Sequence, residues 1–185
     1  MVTKFCSACA LIVMAACTPF AIGAESAWLG SDRTKWANSE SRKVENDFAG
    51  VLVVTPDKDW QNKWKTSPDT IPYFTESNTV RIGEGLAILT LFANPKTDGS
   101  GNAMVLCGIK ITRPNGTIAV DERQIPCMVG KLIGPANNLR LSPGVVEFVG
   151  EKGDPPGKWL VEVEIHDVNR ATTLKLKTTF RLMAN

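Results

Sequence analysis

The chain has 185 residues and a formal net charge of +2, with 21 Lys and Arg against 19 Asp and Glu. This length suits one domain of ordinary size, or at most one domain with an appended segment. Apolar residues make up 43% of the chain, which excludes a wholly disordered or collagen-like protein. Nucleic-acid binding requires a strongly basic face, and the near-neutral charge gives no electrostatic case for it.

The first 24 residues have the pattern of a secretory signal peptide. Lys4 precedes an apolar run over residues 5–16, and small residues then lead to Ala24. The run is shorter than the roughly 20 residues that a transmembrane helix needs. We therefore expect cleavage after Ala24, no transmembrane segment, and a periplasmic or secreted protein.

A second cleavage pattern overlaps the first. Met14-Ala15-Ala16-Cys17 resembles a lipoprotein box, in which an acylated Cys17 would anchor the protein to a membrane. Met14 is a poor match to the Leu usual at that position, and a better cleavage site follows it. Anchoring at Cys17 is therefore the alternative to a released protein.

Removal of the first 24 residues leaves two of the five cysteines, Cys107 and Cys127. An even pair in an oxidising compartment predicts a disulfide bond. A redox dithiol is disfavoured because the Cys-x-x-Cys spacing is missing, and two thiols are too few for a zinc site. The sequence predicts no metal and no cofactor.

The predicted export segment is followed by a polar stretch, and from Phe48 onward the sequence becomes richer in apolar residues. Residues 25–47 are expected to form a flexible N-terminal arm, and residues 48–185 to form the folded domain. Val51–Val54 is a β-branched run typical of a buried strand.

A short helix is predicted near residues 56–65. Thr55 offers a hydroxyl cap, and Pro56 suits the first helical position. Trp60 and Trp64 are four residues apart and therefore share one helix face. This face either packs against the domain or forms an aromatic platform for a sugar or a peptide.

The rest of the chain reads as short strands separated by turn residues, which predicts an all-β sandwich or barrel. The predicted strands are Thr79–Ile82, Leu86–Phe92, Met104–Thr112, Thr117–Asp121, Gln124–Val129, Leu139–Leu141, Val145–Val149, Trp159–His166 and Thr172–Leu182.

The last two strands are expected to form a hairpin, because their apolar alternation matches. A connection at Asp167–Arg170 would place three pairs opposite one another: Val163 with Leu174, Val161 with Leu176, and Glu162 with Lys175.

A second hairpin is predicted around Arg113-Pro114-Asn115-Gly116. A two-residue Asn-Gly turn would place Ile111 opposite Val120. A three-residue turn that includes Pro114, with Gly116 as a bulge, is equally compatible with the sequence.

The closing pattern Gly157–Val163, followed by Asp167 and Thr179–Leu182, resembles the last two strands of immunoglobulin-like and fibronectin III-like bacterial domains. Across residues 48–183 the chain is similar to a group of uncharacterised secreted bacterial β-sandwich proteins. The resemblance implies an immunoglobulin-like antiparallel β-sandwich and transfers no activity. It also implies cysteines beside the loop at residues 98–102, and this sequence has none there.

Few residues of the sequence are candidates for catalysis or metal binding. His166 ends an outward-facing series with Glu162 and Glu164, which could in principle transfer protons or hold a metal. We interpret this series as a solvated strand face. Asp98, Ser100 and Asn102 place oxygen side chains at alternate positions, as a calcium loop does. The motif then fails, because Ala103 and Ile109 occupy the positions of its glycine and its glutamate. Nucleophile-elbow, metalloprotease and phosphate-loop motifs are also missing.

The sequence therefore predicts a non-enzymatic exported β-sandwich that binds a protein or a cell-envelope component. The binding candidates are Trp60, Trp64, Asp98 and Asn102, and the candidate surfaces are the segments Lys96–Asn102, Gly130–Asn138 and Glu151–Gly157. One alternative is a periplasmic hydrolase whose site is formed by distant carboxylates. The other is a pilus- or adhesin-like assembly subunit whose groove accepts a donated strand.

Overall fold

A computed structural model describes residues 37–65 and 72–184. The predicted signal peptide, Cys17 and residues 25–36 of the predicted arm lie outside the described residues. The strands are β1 (Arg42–Glu45), β2 (Phe48–Thr55), β3 (Thr79–Arg81), β4 (Gly85–Ala93), β5 (Asn102–Thr112), β6 (Ile118–Lys131), β7 (Arg140–Leu141), β8 (Val146–Val149), β9 (Gly157–Asp167) and β10 (Thr172–Met183), and the helix is α1 (Trp60–Trp64).

The strands form two sheets that pack face to face. In sheet one the order is β1-β2-β4, and both β7 and β8 pair with the other edge of β4. In sheet two the order is β3-β10-β9-β5-β6. The predicted all-β sandwich with one short helix is confirmed. The prediction of a purely antiparallel arrangement needs one correction, since β3 runs parallel to β10.

The main core lies between the inner faces of the two sheets. Along β5 and β9 every second residue is buried, as expected for strands with one face inward. Trp159 stacks on Phe180 with ring centroids 5.8 Å apart, and Phe148 of sheet one lies 4.7 Å from Phe180. These three rings join the sheets near the end where β9 begins.

Strands β2 and β4 are buried on both faces, which explains their continuous apolar sequences. The outward side chains of β2, including Val51 and Val53, belong to a second apolar cluster. Phe74, Trp60 and Trp64 pack against that cluster. The prediction of a buried strand at residues 51–54 is therefore confirmed, and the tryptophans do pack against the domain.

Two predicted boundaries are wrong. Arg42–Glu45 was assigned to the flexible arm, yet it pairs antiparallel with β2. Its polar residues suit a strand at a sheet edge, where one side faces solvent. Helix α1 begins at Trp60 rather than near Pro56, because Thr55 ends β2 and its hydroxyl accepts the N–H of Asp57 at 3.1 Å.

The β9–β10 hairpin has the predicted faces, but its predicted register is wrong by two residues. The observed partners are Val163 with Leu176, Ile165 with Leu174, Glu164 with Lys175, and Glu162 with Lys177. The cause is the position of the four-residue turn, which spans residues 168–171 rather than 167–170, with Ala171 at a φ of 53°. A shift of two residues leaves every side chain on its face, so hydrophobic alternation alone cannot detect it.

The β5–β6 hairpin places Ile111 opposite Val120, the pairing predicted for a two-residue turn, but it does so through a register shift between Ile111 and Thr112. Its turn takes the three-residue form: the N–H of Gly116 donates to the carbonyl of Arg113 at 2.9 Å, and Gly116 has a φ of 84°. The two strands predicted at 117–121 and 124–129 are one bent strand, β6. Gln124, with a φ of 57°, marks a bulge that the sequence pattern presented as a break.

The predicted disulfide bond between Cys107 and Cys127 is confirmed. The two Cα atoms are 5.8 Å apart, and the bond joins β5 to the edge strand β6. Both cysteines are buried in the main core.

Replacing both cysteines with alanine should lower the free energy of unfolding by about 3 kcal/mol, since the bond closes a loop of 20 residues. Urea unfolding of the wild type and of the double variant measures this difference. Reductant should destabilise the wild type and leave the variant unchanged. Equal stability of the two proteins would contradict a stabilising role for the bond.

Gly150 lies where the two sheets approach one another. A Cβ atom there would lie 2.7 Å from Cδ1 of Leu182 and 2.9 Å from the carbonyl oxygen of Arg81. Gly150→Ala should therefore cost about 1–3 kcal/mol of stability in thermal or urea unfolding. Gly99→Ala is the control, because no atom of another described residue lies within 4 Å of its Cβ position, its two chain neighbours aside. A neutral Gly150→Ala variant would show that this packing is looser than described.

Candidate functional site

Four connections meet at one end of the sandwich, which we call the loop end: residues 46–47, 94–101, 132–139 and 168–171. Two of the predicted loop surfaces, Lys96–Asn102 and Gly130–Asn138, lie side by side there. The N–H of Leu132 donates to the carbonyl of Gly101 at 3.0 Å. The third predicted surface, Glu151–Gly157, lies at the opposite end, where Gly157 approaches Pro114.

A buried ion pair links three of these connections. The side chain of Asp167 is fully buried and accepts the N–H of Lys96 at 2.8 Å and Nε of Arg170 at 3.2 Å. The same guanidinium donates to the carbonyls of Asn46, at 2.6 Å, and Asn94, at 2.9 Å. Buried charges are stable only when paired and hydrogen-bonded, and this pair meets that condition through the loops themselves.

The predicted binding candidates Asp98 and Asn102 form hydrogen bonds within the loop that contains them. Asp98 Oδ1 accepts the N–H groups of Ser100 and Asn102, each at 2.9 Å. These backbone hydrogen bonds lower the pKa of Asp98 below its ordinary value. Asn169 closes the loop by donating to the carbonyls of Lys96 and Asn102, each at 3.0 Å. The arrangement supports the interpretation as a Gly-rich connection rather than a calcium loop.

The fourth connection is organised by one guanidinium. Arg140 donates to four carbonyl oxygens of residues 133–138: those of Ile133 at 3.2 Å, Pro135 at 3.0 Å, Ala136 at 3.0 Å and Asn138 at 2.5 Å. Burial lowers the pKa of Arg140, and the carbonyl dipoles take the place of water around the charge. The loop is thus held in one conformation by its own backbone.

Left-handed backbone conformations concentrate at the loop end. Asn46, Asp47, Asn94 and Ala171 have φ values of 48°, 69°, 56° and 53°. Asn and Asp tolerate this region well, whereas Ala171 adopts it at a cost of about 1 kcal/mol or more. Such positions persist only when neighbouring contacts fix them, and they are common at binding sites.

The loop end also carries exposed apolar side chains. Ile133, beside the Arg140 guanidinium, is 85% exposed. Val129 lies directly opposite Met104 on the outer face of sheet two, and they are 65% and 39% exposed. Sequence reasoning included Ile133 in a candidate segment without singling it out, since only the folded loop shows that its side chain stays in solvent.

The structure does not bring Trp60 and Trp64 close to Asp98 and Asn102. Helix α1 follows the last residue of β2, whereas the loop end lies beside the first. Trp60 donates its indole N–H to Glu147 Oε1 at 3.1 Å, and both tryptophans are half-buried. The four predicted binding candidates therefore belong to two separate places.

His166 lies on the outer face of sheet two, within a ladder of paired charges. Its Nδ1 is 2.8 Å from the hydroxyl of Thr173. Glu164 pairs with Lys175 at 3.2 Å, and Glu162 pairs with Lys110 at 3.7 Å rather than with Lys175 as predicted. Within residues 37–65 and 72–184, no three His, Cys, Asp or Glu residues are grouped to hold a metal ion.

Comparisons with known proteins found only distant similarity. No family model matches the sequence, and no curated protein matches it significantly. A family 123 glycoside hydrolase from Clostridium perfringens aligns with 74% of this chain at 13% identity and a TM-score of 0.39. An alkylpurine DNA glycosylase from Pseudomonas fluorescens, solved bound to DNA, aligns with 58% at 13% identity and a TM-score of 0.37. The chain spans 28% of the length of each of these two proteins.

A third solved structure is matched over its whole length. It is the CARDB domain of a Pyrococcus furiosus protein in complex with di-metal ions, which aligns with 80% of this chain at 8% identity and a TM-score of 0.39. At these identities and TM-scores, no activity, ligand or partner transfers to this chain. In the part of the chain that the structure describes, no helix is long and apolar enough to cross a membrane.

Asp57 gives the segment after β2 an acid-sensitive contact. Burial would raise the pKa of Asp57, but hydrogen bonds from Lys63 and from the N–H of Thr75 outweigh it and lower the pKa to about 2. Because this value lies below the ordinary pKa of about 4, the contact stabilises the fold above pH 4. The stabilisation is lost as the pH falls toward 2.

Asp57→Asn should therefore remove part of the loss of stability between about pH 4 and pH 2. Urea unfolding midpoints measured across this range give the comparison. Asp59→Asn is the control, since Asp59 is exposed and lies 3.9 Å from Lys63. An equally steep acid loss in the wild type and in Asp57→Asn would contradict the assignment.

Proposed function

We propose that this protein is an exported, non-enzymatic β-sandwich that recognises a partner protein through its loop end. The observation that carries the proposal is Ile133, which stands 85% exposed on a loop fixed by the Arg140 guanidinium. A preordered loop loses little conformational entropy on binding, and a solvent-exposed apolar side chain gains from burial. Both effects favour association with another protein surface.

The state of the ionisable groups supports binding rather than catalysis. Asp167 forms an ion pair with Arg170, and Asp98 accepts hydrogen bonds from the backbone of its own loop. Glu162 and Glu164 each form an ion pair with a lysine. Catalytic carboxylates need to face one another, or a nucleophile, across a water-excluding cleft. These four carboxylates are paired or hydrogen-bonded locally instead, which disfavours a hydrolase site at the loop end or on the outer face of sheet two.

The edge of sheet two disfavours the strand-donation alternative. Among the described strands, β6 pairs with β5 alone, yet it contains Pro126, the charged run Asp121-Glu122-Arg123, and bulges. Proline, charge and bulges are the features by which natural edge strands avoid pairing with other chains. We therefore favour recognition by loops over the addition of a strand.

Export remains part of the proposal. The pattern of residues 1–24 and the Cys107–Cys127 bond both fit an oxidising compartment, either the periplasm or the exterior. A partner in the cell envelope follows from that location. Lipid attachment at Cys17 is the alternative form of the same proposal, and the mass of the mature N-terminus distinguishes the two.

Ile133→Asp should abolish partner binding, because a hot-spot side chain of this kind contributes about 2 kcal/mol or more, which is about 30-fold in affinity. The protein is immobilised, exposed to a cell-envelope extract, and its retained proteins are quantified by mass spectrometry. Ile118→Asp is the matched control: Ile118 is 52% exposed but lies at the opposite end of β6.

The expected result is a protein retained by the wild type and by Ile118→Asp and lost from Ile133→Asp. Urea unfolding of both variants checks that their folds are intact, and changes within about 0.5 kcal/mol are expected at such exposed sites. Recovery of the same proteins by all three baits, or of none by the wild type, contradicts the proposal.

A further inference from the structure

A groove of about 200 Å³ lies at the other end of sheet one, between the segment before α1 and the β4–β8 pair. Its lining includes Gly85 and Ala87 of β4, which lie directly opposite Val149 and Glu147 of β8. Trp60 lines it as well. Two small residues adjoin larger neighbours here, so the outer face of the sheet has a depression with apolar surfaces.

An exposed carboxylate lines this groove with one of its oxygens hydrogen-bonded. Glu147 Oε1 accepts the indole N–H of Trp60 at 3.1 Å and the side-chain amide of Gln61 at 3.4 Å. Glu147 Oε2 has no hydrogen bond to any described residue. Two donors thus hold the carboxylate while one of its oxygens stays available to a ligand.

A positive charge lines the same groove. Lys58 is exposed and forms no ion pair with any residue of the described ranges, Glu147 included. A third charged residue of the lining, Asp57, is paired with Lys63 at 2.7 Å. Glu147 and Lys58 therefore remain as two charges of opposite sign that form no ion pair with each other. A ligand with only a cation or only an anion would satisfy one charge and meet repulsion from the other.

We propose that this groove binds a small zwitterion with an apolar side chain, such as a free aliphatic amino acid. Its ammonium group bonds to Glu147 Oε2, and its carboxylate bonds to the ammonium of Lys58. Its side chain lies against Gly85, Ala87 and Trp60. Charge-assisted hydrogen bonds orient the ligand, and the apolar surfaces supply the burial. This site is separate from the loop end, and it does not depend on the partner proposed above.

Trp60 provides a direct readout, because its indole N–H donates to the carboxylate that would bind the ligand. In a proton–nitrogen NMR spectrum, leucine should produce a saturable shift of this signal, which Trp60→Phe identifies. Three comparison ligands test separately whether the ammonium group and the carboxylate are needed for binding. Isopentylamine has only the cation, isocaproate has only the anion, and glucose has neither charge. Leucine should bind at least about tenfold more tightly than each of them.

Two variants remove the charges of Glu147 and Lys58 and leave the apolar lining of the groove unchanged. Glu147→Gln keeps an acceptor for the Trp60 indole but loses the negative charge, and Lys58→Met keeps the aliphatic chain but loses the ammonium. Each should weaken leucine binding about tenfold or more. Glu151→Gln and Lys152→Met are the controls, since both residues are exposed in a connection outside the groove. Near-ultraviolet circular dichroism confirms that all four variants are folded.

Three results would overturn the proposal. The first is no shift of the Trp60 signal with leucine at millimolar concentrations. The second is equal binding of leucine by Glu147→Gln and the wild type, or by Lys58→Met and the wild type. The third is binding of isopentylamine, isocaproate or glucose as tight as that of leucine, which would assign the groove to a different ligand chemistry.

Discussion

The buried pair formed by Asp167 and Arg170 is the interaction on which the loop end depends. An unpaired carboxylate at this depth would be destabilising by several kcal/mol, so the turn between β9 and β10 must keep the guanidinium against it. The remaining donors of Arg170 then bind the carbonyls of Asn46 and Asn94. One desolvated charge pair thus fixes the positions of connections that are distant in sequence. The conformation of the loop end is a consequence of electrostatics more than of packing.

The two ends of the sandwich differ in how they are held. At the loop end, the side chains of Arg140, Arg170 and Asn169 hold the loops in place by donating hydrogen bonds to backbone carbonyls. At the opposite end, the rings of Trp159, Phe180 and Phe148 pack between the sheets. Hydrogen bonds are directional and preserve a specific surface, whereas aromatic packing is less directional and mainly supplies burial. This difference is consistent with the proposed recognition of a partner at the loop end.

Hydrophobic pattern predicted most of the fold, because burial imposes a period that can be read from the residues. The strand at Val51–Val54 and the two faces of β9 and β10 follow from it. The register of that last hairpin did not, since a two-residue shift conserves the pattern. The polar strand β1 was missed for a related reason: an edge strand buries too little to show a period.

The candidate site was less predictable than the fold. The segments 96–102 and 130–138 were identified from turn residues, but their meeting at one end depends on the strand order of sheet two. Arg140 gave no signal, because an arginine that binds nearby carbonyls has the same sequence context as one in solvent. The importance of Glu147 likewise depends on Trp60, 87 residues earlier in the chain. Contacts of this kind arise only once the chain is folded.

The bond between Cys107 and Cys127 has a further consequence for β6. A terminal strand of a sheet has a single neighbour, so it is the element that would detach first in a local opening and offer its backbone to a protease. A covalent tie placed well inside the strand divides it into two shorter pieces, each of which can fray only as far as the sulfur atoms. Resistance to digestion would then be set by these two short ends rather than by the whole length of the strand.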